Sequence, residues 1–275
     1  MGVGRVKRVL KGAAPANLQV FQQATPQATW EELRNDPYHG GQTTYTDIRA
    51  QAHQDQGGLC AYCEIDIREN DSLKSRIEHF HPKSDKSSGV NWALDWGNML
   101  AVCAGGSDRY GAAPHSMEPL SENLSCDAHK DRWIQQRKLP ADCEGWVLNP
   151  LHIPIWPSLF EIDKFSGELR ASEATCAAAA PWPNNQHPDV ASLVARTIAS
   201  LNLNCHRLCQ ARLTVIRDIE HNKKKQRLAG VSPQQGLANL AQRYLLRHWP
   251  AFFTTICLCL GSAADDHLQQ IQYRG

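Results

Sequence analysis

The feature that most constrains this chain is the placement of four cysteines. Cys60-Ala61-Tyr62-Cys63 is a C-x2-C pair, and Cys103 and Cys126 follow it. A C-x2-C pair at a tight turn lets two thiolates reach one tetrahedral zinc about 2.3 Å away, but one pair alone is weak evidence and needs a second. Residues 104–125, between Cys103 and Cys126, are rich in Gly, Ser, Pro and polar groups, as an insertion looped out between neighbouring ligands would be. Zinc is therefore expected at Cys60, Cys63, Cys103 and Cys126, with His129 a substitute fourth ligand and an ordinary buried thiol the plain alternative for Cys103 or Cys126.

The rest of the composition fits that expectation. The N-terminus lacks a signal-peptide core, so the ten cysteines are expected in a reducing compartment, as metal ligands rather than disulfides. With 275 residues, 42% hydrophobic and 21% charged, the chain is globular rather than disordered. Its longest apolar run, Ala251 to Leu260, is far short of the roughly 20 residues of a membrane span, so a soluble protein without membrane contact is expected.

Charge is unevenly spread. Residues 57–132 carry 8 Lys and Arg against 12 Asp and Glu, whereas residues 193–275 carry 11 against 4. An acidic, cysteine-rich site beside a basic region suits a metal-dependent enzyme acting on a polyanion. A solvated helix face is an equal alternative for Lys223, Lys224, Lys225 and Arg227.

Four segments are expected: residues 1–56 a helical N-terminal segment, 57–133 a site-bearing module of hairpin, loop and short helix, 134–188 irregular with short strands, and 189–275 helical. Residues 1–12 read as an extended basic lead-in. Helical spacing covers Asn17 to Arg34 and Thr44 to His53, the latter ended by Gly57-Gly58. Strands are expected at Trp146-Val147-Leu148 and on both sides of a turn at Ser166-Gly167, and Ala177 to Ala180 read as a loop. Amphipathic patterns follow at Leu193–Leu201, Leu208–Ile219 and Gln235–His248, then a last apolar element. The fold class is mainly α with a small β-containing module, an α+β arrangement.

Between the cysteine pairs lies Ile77-Glu78-His79-Phe80-His81-Pro82-Lys83, followed by Trp96-Gly97-Asn98. Phosphodiester hydrolysis needs a base to deprotonate water and a cation to stabilise charge on phosphate and leaving oxygen. A histidine beside a carboxylate, with a later amide oxygen, supplies that kit. Consecutive residues on a strand point to opposite faces, so Glu78 and His79 can share one site only at a bend or bulge.

This ordered pattern resembles the HNH, or ββα-metal, endonucleases with a zinc-binding cysteine frame: Cys60 and Cys63, Glu78-His79, Pro82, Asn98, then Cys103, Cys126 and Lys130, over about 75 residues. The resemblance implies a ββα-metal module in which His79 is the general base, Glu78 and Asn98 hold a catalytic Mg2+ or Mn2+, and the four cysteines hold a separate structural Zn2+. A wider resemblance covers "CAYCE", "IEHFHPKS", "WGNMLAVC", "LNP", "FSGEL" and "TIASLNLNCHRLCQAR". In this order they are similar to the PtuB-type HNH proteins of bacterial anti-phage defence, in Septu and retron-associated systems. That likeness implies a cytoplasmic bacterial nuclease acting on DNA with a PtuA-type, ABC/SMC-like ATPase partner. The chain departs from the pattern in the 104–125 insertion and in carrying Asp127 where the family usually has Asn, which makes Asp127 a further metal ligand or a support for one.

Other residues have two readings. His81 is a phosphate or metal contact, or a structural hydrogen-bonding residue. Lys83 and Lys130 are phosphate contacts or solvated lysines, and Trp92 and Trp96 stack on bases or pack beneath the module. The expected function is a metal-dependent HNH endonuclease cleaving DNA. The rivals are a zinc-dependent binding module without catalysis and an RNA-cleaving toxin, since this chemistry does not require a 2′-hydroxyl.

Overall fold

The computed structural model describes residues 5–68, 74–106, 121–246 and 249–273. Among these, ten α-helices and two small two-stranded sheets form a mainly α, α+β architecture. The N-terminal helices are α1 (Ala16–Ala24), α2 (Trp30–Asn35) and α3 (Gly41–Asp55). The single helical region expected over Asn17–Arg34 is broken at Pro26, and α2 restarts behind a capping box in which Thr29 and Glu32 satisfy each other's backbone N–H groups.

The site-bearing module follows. Strand β1 (Ser75–His79) pairs antiparallel with β2 (Met99–Cys103), with Ser75 opposite Cys103 and His79 opposite Met99. Helix α4 (Cys126–Gln135) closes the ββα unit. Most of the 104–125 insertion, residues 107–120, lies outside the described residues.

A second hairpin, β3 (Phe160–Ile162) with β4 (Leu169–Ala171), occupies the positions read as strands around Ser166-Gly167. Trp146–Leu148 is not a strand. Val147 makes one bridge to Glu144, while its amide goes to the Cys143 carbonyl and that of Leu148 to the Thr197 hydroxyl. The alanine run is not all loop either, because α5 (Glu173–Ala178) takes in Ala177 and Ala178, anchored by buried Cys176.

The C-terminal part is helical: α6 (Val190–Ser200), capped by Asp189, α7 (His206–Leu228), α8 (Pro233–Tyr244), capped by Ser232, α9 (Phe253–Leu260) and α10 (Ser262–Gln270). Helix α10 has no counterpart in the sequence reading, and His248, the expected end of α8, lies outside the described residues. Leu213, Ile216 and Ile219 of α7 meet α8 to α10 in one apolar cluster. A second cluster joins the N-terminal segment, the hairpin and α6 around Leu100 and Leu193.

The basic lead-in is extended, as expected, yet it is packed rather than solvated. Val6 and Val9 are buried, the Val6 amide bonds the Ile155 carbonyl, and Lys11 donates to the Met99 carbonyl at 2.7 Å while lying over Trp96. No helix among the described residues is long and apolar enough to cross a membrane.

Candidate active site and metal centre

The four cysteines expected to ligate zinc converge. Their Sγ atoms all lie within 4.8 Å of one another, with Cys60 to Cys126 at 3.9 Å and Cys63 to Cys103 at 3.8 Å. Thiolates at the corners of a tetrahedron about 2.3 Å from zinc stand ~3.8 Å apart, so the donor set fits a structural zinc. The backbone supports two of the sulfurs: the Cys103 amide bonds Cys60 Sγ at 3.3 Å and the Gly105 amide bonds Cys103 Sγ at 3.3 Å. Gly105 has φ +67°, and a Cβ there would sit 2.4 Å from the Ser125 carbonyl oxygen. His129 stands apart, its Nδ1 2.8 Å from the Ser200 carbonyl and its ring against Trp133, so Cys126 completes the cluster.

Four thiolates around a divalent ion leave a net charge of −2, which a buried site must balance. Arg207 of α7, 2% exposed, donates to Ser125 Oγ, and that hydroxyl donates to Cys126 Sγ at 3.7 Å. Its guanidinium lies over Gly106, where a Cβ would come within 3.0 Å of Nε. Lys7, from the N-terminal segment, is also buried and faces Glu64, Cys60 and Cys63; burial lowers its pKa to about 8 against their attraction.

The second part of the site is a cleft of about 340 Å3, lined by Glu78, His79, Lys130, Asp131, Trp30 and Lys83 among others. Strand alternation would part Glu78 from His79, but β1 ends at His79, and this strand end lets both reach the cleft. His79 Nε2 lies 3.1 Å from the Ala93 carbonyl oxygen, and its ring meets Trp30 edge-on with centroids 4.7 Å apart. A carbonyl can only accept, so Nε2 carries the hydrogen and Nδ1 keeps its lone pair. Burial pushes the imidazole pKa down to about 4 and the Ala93 contact only partly opposes it, so the ring is neutral at physiological pH.

Glu78 is buried and accepts a hydrogen bond from Lys130 Nζ of α4. The carboxylate of Asp127, one turn earlier on α4, lies against Glu78 and pairs with Arg76 at 2.9 Å. Burial and then Asp127 raise the Glu78 pKa, opposed by the Lys130 ammonium. Asp127 Oδ1 is buried with no hydrogen-bond partner. Two buried carboxylates in contact, with one oxygen lacking a donor, form an all-oxygen donor set that suits a hard divalent cation.

Asn98 lies elsewhere. Its Oδ1 accepts from the His81 amide at 2.7 Å, and its Nδ2 donates to the His81 and Trp92 carbonyls, each at 2.9 Å. The side chain thus clasps the two ends of the loop that carries the Ala93 carbonyl. His81 is buried between carboxylates, Nε2 2.7 Å from Asp85 and Nδ1 3.4 Å from Asp142, with Trp92 on its face at 4.2 Å. Lys83 sits on the cleft rim, half exposed and paired with Glu31 at 2.7 Å. Trp96 is buried and donates to the Gly12 carbonyl.

The cysteine spacing predicts the cluster, whereas no residue pattern in the sequence marks Ala93, Trp30, Arg207 or Asp142 as part of the site. Ala93 and Asp142 act through a carbonyl position and a loop contact that leave no residue pattern. Trp30 had a signal in the Thr29–Glu32 capping box, which locates its helix but not what the helix faces.

No family model matches the chain. It is 36% identical over 209 residues to an Escherichia coli protein described as a candidate HNH endonuclease of retron Ec83; the match spans 75% of this chain and 78% of that protein.

Proposed function

The chain belongs to the family of retron-associated HNH endonucleases, and from that premise we propose that it is a metal-dependent endonuclease hydrolysing phosphodiester bonds of DNA. In this reading it is the effector of an anti-phage defence system and acts with an ABC/SMC-like ATPase, as in PtuA–PtuB pairs. The observation that carries the catalytic part is the fixed, neutral His79 in a cleft beside buried Glu78.

In the reaction, Nδ1 of His79 takes a proton from a water molecule placed in the cleft. The Ala93 carbonyl holds the opposite nitrogen and so the ring's orientation. Glu78 and Asp127 would hold a Mg2+ or Mn2+ ion; the role expected for Asn98 passes to Asp127, because the Asn98 amide is occupied with loop backbone. When bound, that cation supplies charge stabilisation to the phosphate and leaving oxygen. Lys130 and Arg76 limit the repulsion between the two carboxylates, and Lys83 at the rim, paired with Glu31, would exchange that partner for a phosphate. Cys60, Cys63, Cys103 and Cys126 would hold a structural Zn2+ that staples the 60–63 turn to β2 and the start of α4.

The test is cleavage of plasmid DNA and of RNA with Mg2+ or Mn2+, comparing wild type with His79→Ala, with and without an ABC/SMC-like ATPase of the proposed partner class. Cation-dependent cutting of DNA that vanishes in the variant while zinc is retained supports the reading. Cutting of RNA alone would move the substrate to RNA, and no cutting under any condition would favour a zinc-dependent binding module.

A further inference from the structure

Helix α7 runs for 23 residues, and one stripe of its exposed surface carries no acidic residue. Gln210, Thr214, Arg217, His221, Lys224 and Lys225 recur every three to four residues and are all exposed, so they share one face opposite buried Arg212, Ile216 and Ile219. No acidic residue lies within this stripe. The acidic neighbours on its edges are engaged: Asp218 accepts from Tyr244 and Asn222, and Glu220 pairs with Lys223 at 2.9 Å. Among the described residues, Arg217, Lys224 and Lys225 have no side-chain hydrogen bond or ion pair. From residue 210 to 225 the stripe extends roughly 22 Å at 1.5 Å per residue.

A solvated surface helix ordinarily alternates charges of both signs. Here the exposed acids Asp218 and Glu220 flank the stripe and are engaged with intramolecular partners, while the stripe itself carries only neutral polar and cationic side chains. The same helix is braced through Arg207 to Ser125 beside the four-cysteine cluster, so the stripe is held in fixed relation to the ββα unit.

We propose that the Arg217–His221–Lys224–Lys225 face of α7 binds the phosphate backbone of nucleic acid, a grip separate from the cleft that holds the substrate strand for cutting. This rests on the nuclease reading for its ligand class and on charge complementarity for its position. Because the contacts are with phosphates, they are insensitive to sequence and sensitive to salt.

The experiment is a binding titration of a 30-base-pair DNA duplex against salt, in the His79→Ala background to prevent cutting. The zinc-loaded full chain is compared with R217Q/K224Q/K225Q and with the charge-preserving R217K/K224R/K225R. Loss of three phosphate contacts should reduce the slope of log K against log salt by about 2.7 and weaken binding about tenfold or more, while the charge-preserving variant binds as the parent does. Zinc content and melting temperature, which neither variant should change, show that the protein remains folded. An unchanged slope in the glutamine variant overturns the proposal, as does a parent that binds no duplex. An unchanged slope with a parent that still binds leaves the nuclease reading intact, whereas a parent that binds no duplex counts against both, and the plasmid assay then decides the nuclease reading on its own.

Discussion

His79 and Ala93 are bound through Nε2 of the ring and the carbonyl of a residue 14 positions later, at 3.1 Å, and that bond determines which nitrogen of His79 is free to accept a proton. If this nitrogen is the base, His79→Ala should lower the rate of DNA cleavage by about 10²- to 10⁴-fold. Metal analysis and melting should show an unchanged zinc content and fold. A variant that loses its zinc along with its activity would leave the base unidentified, and His79→Gln is the second measurement for that case.

Asn98 and Asp127 have different parts in this site, and one pair of variants separates them. Asn98→Ala removes three buried hydrogen bonds to the 81–98 loop and should cost about 2 to 4 kcal/mol in stability, read from denaturant titration. Asp127→Asn should instead raise the Mg2+ or Mn2+ concentration needed for half-maximal cleavage. A large shift in that concentration for Asn98→Ala without loss of stability would return the cation to Asn98.

The cluster of four cysteines predicts a metal dependence of its own. Cys126→Ser should lose zinc and melt at lower temperature, because metal binding is coupled to folding in small thiolate frames, whereas His129→Ala should keep its metal. Arg207→Met should weaken zinc affinity by about tenfold to a hundredfold, measured by competition with a chromogenic chelator. Zinc held equally well by Arg207→Met and wild type would show that the charge of the cluster is balanced elsewhere.

Asp265 gives the fold a pH-dependent contribution. Burial pushes its carboxyl up to about 6, opposed by Arg5 at 3.9 Å. Its unfolded value is about 3.9. Between these values the folded state binds more protons than the unfolded one. The contribution is therefore full below about 4 and is lost as pH rises through about 6. Relative to Asp265→Asn, wild type should lose melting temperature between pH 5 and pH 7; an equal difference at both pH values contradicts the assignment.

How far the sequence could be read depended on whether the determinant was local. Cys60, Cys63, Glu78 and His79 are spaced by chemistry that operates over a few residues, and the 160–171 hairpin and the helices after Asp189 follow from turn residues and periodicity. The loop that fixes His79, the burial of Lys7, the docking of half-buried Lys11 on the Met99 carbonyl, and the bracing of Cys126 by Arg207 depend on contacts between residues 14 to more than 80 positions apart. Local pattern also misled where an alanine run was helical: Ala177 and Ala178 join α5 because Cys176 has a buried place to sit.

Arg207 reaches across 82 positions of sequence to support Ser125. The four-cysteine unit is therefore not a cassette. Moved into a foreign host without its long helix, the 57–133 segment would carry all four sulfurs and lack the cation that steadies them, so exchange of such segments between relatives would succeed only when helix and cysteines travel together.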